Sequence, residues 1–441
     1  MNNKEDILNT LFSLQRFGIK PGLERTLHLS EYIGNPHLQF PSIHVAGTNG
    51  KGSVCSMLAS ILMEAGYRVG LYTSPHLVNF NERIRINHDE ITDDEMVELA
   101  EKLLIGVEKW GCTFFEITSV MAFEYFAKNK VDIAIIETGM GGRFDSTNIL
   151  TPLVSMITAI DFDHSEYLGN TLEDIAFEKA GIIKEGIPVV LAKYSDKVKE
   201  VFIDKAKDTN SDIFDCCGLT TFQNHKFNAD FSQSFDLNYY GKTFKNIRLD
   251  IAGEHQLGNV TEVITAIDLI KGKFAISDES LYNGLANIKY NTCLRGRIEF
   301  YNLSRNSSQQ NENMILLDTG HNPGAVKRLA ETLHFHRPDI EEWNFVYGAM
   351  ADKDIRTILQ IIKPVCNNLI LTRPKIERAI GLLRLKQITD EIGFKEVIIK
   401  EEVSEAIEFA IEQKQATVIS GSFYLAGEAI PVLEKMLKVQ S

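Results

Sequence analysis

The feature that most constrains this chain is an alternation. Short apolar runs are each followed by a stretch in which apolar residues recur every three or four positions. The runs in the first half are Ile43 to Ala46, "YRVGLYTS", "VDIAIIETGMGG", "LVSMITAI" and "IPVVLAK". Helical patterns lie between them, from Ser53 to Leu62, Asp94 to Lys109, Phe115 to Ala127 and Leu172 to Ile183. Strands separated by helices need crossover connections, which predicts a mostly parallel sheet covered on both faces. Ligands of such sheets gather at the carboxyl ends of the strands, where the turns after Ala46, Ile136 and Ile160 are expected. From Phe231 to Ile251 the pattern changes to short alternating strands, and "GEHQLGNVTEVITAIDLI" then begins another helix. The alternation resumes with "MILLDTGHNPGAV", "WNFVYGAM", "NLILTR", "EVIIK" and "ATVISGS", after a likeness to a boundary at "LRGRIEF" and a polar loop "NLSRNSSQQNEN". Two α/β domains are expected, residues 1–295 and residues 296–441.

The turn after the first run is "GTNGKGS". Gly47, Gly50 and Gly52 let the backbone bend tightly and approach a ligand closely, because they carry no Cβ. Lys51 adds a point charge. Free amide groups at a helix start, the positive end of the helix dipole and a lysine together suit phosphate. The spacing departs from the usual GxxxxGK[ST] loop: Gly52 separates Lys51 from Ser53, and Val45 holds the outer glycine position. Taken alone, a glycine-rich strand-to-helix turn with an incidental lysine is the competing reading.

Composition narrows the partners. A net charge of -14 argues against a broad nucleic-acid footprint, although a local basic turn can still hold a nucleotide's phosphates. Six cysteines, Cys55, Cys112, Cys216, Cys217, Cys293 and Cys366, form no CxxC pair or regular framework and read as reduced thiols of a cytoplasmic protein. The start "MNNKEDILNTLFSLQRFG" reads as a polar segment and an amphipathic helix, not as a cleaved leader. No apolar run reaches membrane-spanning length, so a soluble protein without a membrane partner is expected. The sequons at Asn302 and Asn306 are chance matches in that compartment.

Four places carry residues suited to chemistry. Glu137 ends an apolar strand, where a buried carboxylate is costly unless paired or bound to a metal; magnesium and a capping role are both open. Ser53 and Ser74 stand where hydroxyls can reach the same ion. "DFDHSEYLG" sets Asp161, Asp163, His164 and Glu166 after another strand, and His164 with Glu137 is a candidate second divalent site, against the alternative of a structural histidine. Lys179, in "AFEKAGIIKEG", is either a solvated helix lysine paired with Glu178 or a desolvated amine of lowered pKa, able to take up carbon dioxide as a carbamate.

With these pieces in place, the chain resembles the folylpolyglutamate synthases and dihydrofolate synthases of the Mur ligase superfamily. The likeness runs in order through "FGIKPGLERT", "FPSIHVAGTNGKGSV", "LYTSPHLVNFNERIRI", "TFFEITSVMAF", "ETGMGGRFDSTN", "DHSEYLGNTLEDIAFEKAGIIK", "GEHQLGNV", "RGRIEF", "DTGHNPGAV", "GAMADKD" and "SGSFYLAGE". It implies an α/β protein with an N-terminal P-loop-type, mostly parallel sheet domain of the Mur ligase central type and a smaller C-terminal Rossmann-like domain. It implies ATP as co-substrate and an acyl phosphate route from L-glutamate and dihydropteroate, or a reduced folate, to the γ-glutamyl product. Carried over by position, Asn49, Gly50, Lys51, Gly52 and Ser53 would hold the ATP phosphates, with Asn259, Arg297, Asp318 and His321 clamping the nucleotide. Ser53, Ser74, Glu137, His164 and a carbamylated Lys179 would serve two magnesium ions, and Lys51, Lys179, His164 and Glu137 would carry the chemistry. Gly22, Leu23, Glu24, Phe115, Glu116, Phe144, Asp145 and Ser146 fall at pterin-binding positions of bifunctional members. A monomer without nucleic-acid partners is implied. Rival readings are a folylpolyglutamate synthase of single activity, another Mur-type amide ligase, and a nucleotide-binding regulator that has lost catalysis.

Overall fold

The computed structural model describes residues 4–14, 21–302 and 314–440. The loop residues from 303 to 313, the sequon at Asn306 and residues 17–20 of "FGIKPGLERT" lie outside the described residues.

Eight strands form the first sheet: β1 (Ser42–Ala46), β2 (Val69–Tyr72), β3 (Ile84–Ile86), β4 (Asp89–Glu90), β5 (Ile133–Glu137), β6 (Val154–Ile157), β7 (Val189–Leu191) and β8 (Ile213–Asp215). Their order is β4-β3-β2-β5-β1-β6-β7-β8, parallel except for the edge pairings of β3 with β2 and with β4. β1 lies at the centre, with Val45 beside Glu137 of β5 and Ala46 beside Ile157 of β6. The carboxyl ends of these three strands therefore form one edge, at the place where the strand order reverses.

The expected strand-turn-helix opens as a helix at Lys51, two residues before the apolar pattern begins, and runs to Glu64. It is buried on nearly every side. The sheet covers one face, while the Gln256–Ile270 and Asp278–Ala286 helices cover the other. Contact with the second of these is close enough that a Cβ on Gly284 would lie 2.5 Å from Ile61 Cα.

Three expectations are corrected. The segment from Pro75 to Thr92 is more than a polar connection, because it contains β3 and β4; Ile84 and Ile86 are buried, but the intervening Arg85 and flanking Arg83 masked the strand. The run "LVSMITAI" stops as a strand at Ile157, not Ile160. There the Tyr194 hydroxyl donates to the carbonyl of Ile157 and, at 3.0 Å, lies near that of Thr158, while the carbonyl of Ala159 turns to accept from Thr48 and Asn49 of the glycine-rich turn. The antiparallel meander begins at Thr220 rather than Phe231, as β9 (Thr220–Phe227), β10 (Gln233–Tyr239) and β11 (Lys242–Leu249). None of the residues of β9 is buried, which leaves little hydrophobic alternation to read.

A second parallel sheet follows, built from β12 (Glu299–Asn302), β13 (Met314–Leu317), β14 (Trp343–Tyr347), β15 (Cys366–Leu371), β16 (Val397–Ile399) and β17 (Thr417–Ser420). Its order is β12-β13-β17-β14-β15-β16, with only β12 antiparallel. The two α/β layers match the expected fold class. Among the described residues no helix is long and apolar enough to cross a membrane.

Candidate active site

The turn "GTNGKGS" bends from β1 into the Lys51–Glu64 helix through two glycines of positive φ, Gly47 at 152° and Gly50 at 96°. A Cβ on Gly47 would meet the Thr158 hydroxyl at 1.9 Å, so this position excludes any larger residue. Gly50 is the helix N-cap, and the first-turn amides behind it have no partner within the helix. Lys51 Nζ curls back to donate to the carbonyls of Gly47 at 3.1 Å and Thr48 at 3.3 Å, and lies 4.0 Å from Glu137 Oε1. Ser53 is buried beside it.

Glu137 closes β5 as a buried carboxylate whose Oε2 accepts from the Ser74 amide at 3.2 Å. Burial raises its pKa; Lys51, Arg297 and Arg83 oppose that rise. A carboxylate so placed, with one amide bond and a lysine at the limit of pairing distance, suits a further cation.

Lys179 sits on the Leu172–Ala180 helix and is 3% exposed. Its Nζ donates to the carbonyl of Gly47 at 2.8 Å. Glu178, the partner of the solvated reading, is instead 2.6 Å from Arg143. Burial, assisted by the charge of Lys51, brings the Lys179 pKa down to about 7.

His164 caps the short helix Ser165–Leu168 with a φ of 52°. Desolvation outweighs the pull of the Asp163 carboxylate, 3.9 Å away, and brings the imidazole pKa down to about 4. Among the described residues, no three His, Cys, Asp or Glu side chains converge as a metal cluster. The set on this edge is of another kind: one carboxylate, one neutral imidazole, serine hydroxyls and a buried amine.

The C-terminal layer supplies the facing wall. Arg297 lies over the Phe423 ring, 5.3 Å from its centre, bonds to the Thr319 hydroxyl, and would stand 3.3 Å from a Cβ on Gly52. Asp318 accepts from the amides of Gly320 at 2.7 Å and Ile298 at 3.1 Å, and burial raises its pKa. From the first layer, Asn259 on the Gln256–Ile270 helix donates to Gln256 at 2.7 Å while its Oδ1 would be 3.0 Å from a Cβ on Gly50. His321 contacts the Thr319 carbonyl through Nδ1 at 3.0 Å and Asp163 through Nε2 at 3.1 Å. Of the residues expected at the nucleotide, Gly50 thus stands against Asn259 and Gly52 against Arg297. Alongside runs a cavity of about 370 Å³ bordered by Gly52, Ser74, Glu137, Arg297 and Phe423.

Two residues of this wall were not singled out from the sequence. Asn322 and Asn49 exchange amide bonds at 3.0 and 3.2 Å, and Lys353 reaches Asp163 at 2.6 Å. Both lie in quoted motifs, "DTGHNPGAV" and "GAMADKD", which were the available signal.

The expected pterin positions divide into an open rim and its supports. Phe115 and Phe144 are 41% and 44% exposed. Phe115 and Asp145 both flank Gly139, whose Cβ would be 3.1 Å from the ring and 3.3 Å from Asp145 Oδ2. Ser146 donates to the Phe115 carbonyl at 3.2 Å, and burial raises the pKa of Asp145. Glu116 is buried and committed to Arg25 at 2.8 Å and the Thr113 amide at 2.6 Å. Gly22, Leu23 and Glu24 open the Glu24–Tyr32 helix, which is tied to this rim through Arg25.

Known proteins share this architecture from end to end. The Mur ligase middle domain family matches residues 45–267, and the Mur ligase, glutamate ligase domain family matches residues 296–423. The dihydrofolate synthase/folylpolyglutamate synthase of Bacillus subtilis is 35% identical over 96% of this chain and 97% of its own length. The folylpolyglutamate synthase structure of Thermotoga maritima superposes with a TM-score of 0.83 at 33% identity, covering 98% of both chains. That of Mycobacterium tuberculosis complexed with ADP and AMPPCP gives a TM-score of 0.88 at 28% identity, over 98% of this chain and 99% of that one. The chain belongs to the Mur ligases and, within them, to the dihydrofolate synthase/folylpolyglutamate synthase family.

Proposed function

We propose that the chain is an ATP-dependent ligase that joins L-glutamate to dihydropteroate, to the γ-carboxylate of a reduced folate, or to both. The observation that carries this reading is the convergence of the glycine-lysine helix start at Gly52, the buried Glu137 and Arg297 on one cavity. Relatives bearing these two activities in their names align along almost the whole chain.

A carboxylate is a poor electrophile, so the acceptor's carboxylate oxygen first takes the γ-phosphoryl group as its bond to the β-phosphate oxygen breaks and ADP departs. The glutamate amine then attacks the acyl carbon, loses a proton and expels phosphate. Lys51 and the amides of Gly50, Gly52 and Ser53 would offset the charge developing during transfer. Asn49, Asn259, Arg297, Asp318 and His321 would hold the nucleotide. Ser53, Ser74, Glu137, His164 and Lys179 would hold two magnesium ions, which, when bound, supply charge neutralisation at the phosphates. For that role Lys179 would be a carbamate: its neutral nitrogen adds to carbon dioxide and releases one proton. The depressed pKa and the burial of Lys179 support this. The acceptor's aromatic end would rest on the rim at Phe115, Phe144, Asp145 and Ser146, with Gly22, Leu23, Glu24 and Glu116 behind it.

The domain division at residue 295, a monomer and a cytoplasmic location complete the reading. Closure of residues 296–441 over the cleft would exclude water from the acyl phosphate. The test is ADP release with dihydropteroate and with tetrahydrofolate, each with and without L-glutamate. Glutamate-dependent release with one acceptor, or with both, separates single from double activity. Release that ignores glutamate, or none with either acceptor, overturns the proposal.

A further inference from the structure

The segment that follows β6 crosses to the C-terminal layer through two carboxylates. Asp163 accepts from Lys353 Nζ at 2.6 Å and faces His321 Nε2 at 3.1 Å. The side chains of Asp163 and Lys353 are each only 9% exposed. Asp161 lies against the first turn of the Pro323–His336 helix, where a Cβ on Gly324 would be 1.6 Å from its Oδ2, and it faces the charge of Arg328 on that helix. Beside them, the Asn49–Asn322 amide pair joins the glycine-lysine turn to the cap of the same helix. Asp163, Asp161 and Asn49 therefore fasten the carboxyl ends of β1 and β6 to the facing layer.

We infer that Asp163 and Lys353 form a latch between the two layers and that Lys353 is a positioning residue, acting through Asp163 to set where His164 stands. The chain linkage is direct, because His164 follows Asp163 and, with a φ of 52°, caps the Ser165–Leu168 helix. An exposed ion pair contributes little, but this one is withdrawn from water on both sides, so removing either partner costs the other its shortest ion pair. Lys353 lies 190 residues from Asp163, and among the described residues its other ion pair is with Asp352, at 3.6 Å within its own layer. The pair thus makes the placement of a nucleotide-side group conditional on the docking of the C-terminal layer. This rests on the ligase reading, which gives His164 its role.

The test is a double-mutant cycle with Lys353→Met, Asp163→Asn and the combined variant, supplemented by Lys353→Arg. Each single change is expected to lower kcat for glutamate-dependent ADP release by roughly 10- to 100-fold, with the KM for L-glutamate nearly unchanged. The combined variant should lose no more than the worse single change, because the two residues act as a unit. It also keeps the test open if a single change prevents folding, since it leaves no unpaired buried charge. Lys353→Arg should recover part of the rate. Hydrogen exchange in the ligand-free proteins should rise in residues 158–168 and 318–326 together in either single variant.

Losses that multiply in the combined variant overturn the latch. So does a rise in the KM for L-glutamate in Lys353→Met that Asp163→Asn lacks, which would place Lys353 on substrate. The exchange measurement does not depend on the substrate, so wild-type protein without glutamate-dependent ADP release would count against the ligase reading while leaving the latch to be judged by exchange alone.

Discussion

The glycine-lysine turn and the aromatic rim stand on the same edge of one sheet, yet they are made of different material. At the turn, the open groups are helix-start amides, with charges packed tightly around them: Lys51, Glu137 and the buried Lys179. At the rim, the offered groups are the exposed rings of Phe115 and Phe144, with the backbone behind them. A site made from backbone demands particular angles and tolerates little added volume, as Gly47 shows against Thr158. A site made from side chains can exchange one ring without disturbing the sheet. Loss at the turn should therefore fall on turnover, and loss at the rim on acceptor affinity.

The largest effect is expected at Lys51. Lys51→Ala should lower turnover by a factor on the order of 100 or more, about 3 kcal/mol, because a contact that strengthens in the transition state is lost. Its melting temperature should stay close to wild type, since the side chain reaches only two carbonyls of its own turn and a distant carboxylate. Near-normal ligase activity in the folded variant would reduce the turn to a structural bend.

Lys179→Ala comes next and sharpens the contrast, because its effect should be chemically reversible. Turnover should nearly vanish, and acetate or formate should restore part of it by filling the vacated space. The pH dependence has a definite sign. Carbamate formation needs the neutral amine, whose share grows as pH rises through a pKa of about 7. Carbon-13 NMR with labelled bicarbonate should therefore show a carbamate signal that strengthens from about pH 6 to pH 8 and is missing in Lys179→Ala. An unmodified ammonium throughout that range in active, nucleotide-bound enzyme would sink the idea.

Glu137→Gln is a gentler break. The amide keeps the shape and can still face Ser74, but it loses the charge that a hard cation requires. A magnesium titration should shift to higher concentration by roughly tenfold, with a smaller loss at saturation. An unchanged titration with full activity would remove Glu137 from the metal site.

The same contrast explains what could be read from the sequence. The turn was legible because its backbone angles need Gly47 and Gly50, and the flanking apolar runs placed it between β1 and a helix. The parallel sheet was legible for the same reason that β3 was not: Ile133 to Ile136 form an unbroken buried run, whereas β3 interleaves Arg85 with its two isoleucines. Asn322 and Lys353 stayed unassigned because their partners, Asn49 and Asp163, are 273 and 190 residues away. A polar residue in a loop gives no sign of which distant loop it will meet. The commitment of Glu116 to Arg25 was hidden in the same way, by a separation of 91 residues.

The smallest effect belongs to the rim, and Phe144→Ala is the cleanest way to measure it. Phe144 is nearly half exposed, and the Arg143 guanidinium lies over it, 4.3 Å from the ring centre. Arg143 keeps the Phe177 ring at 5.0 Å and the Glu178 carboxylate at 2.6 Å, so the loss of one ring leaves it held. Phe115 is a poorer probe. Its ring flanks Gly139 and packs at 5.5 Å edge-on to the buried Phe114, so its removal would loosen the turn that leads from Glu137. For Phe144→Ala the KM of the pterin-bearing acceptor should rise about tenfold, the equivalent of about 1.4 kcal/mol, within the range for one aromatic contact. The KM for ATP, the magnesium titration and the melting temperature should not move. A parallel rise in the KM for ATP would show that ring and turn are mechanically joined, and the division of this edge into a backbone site and a side-chain site would have to be abandoned.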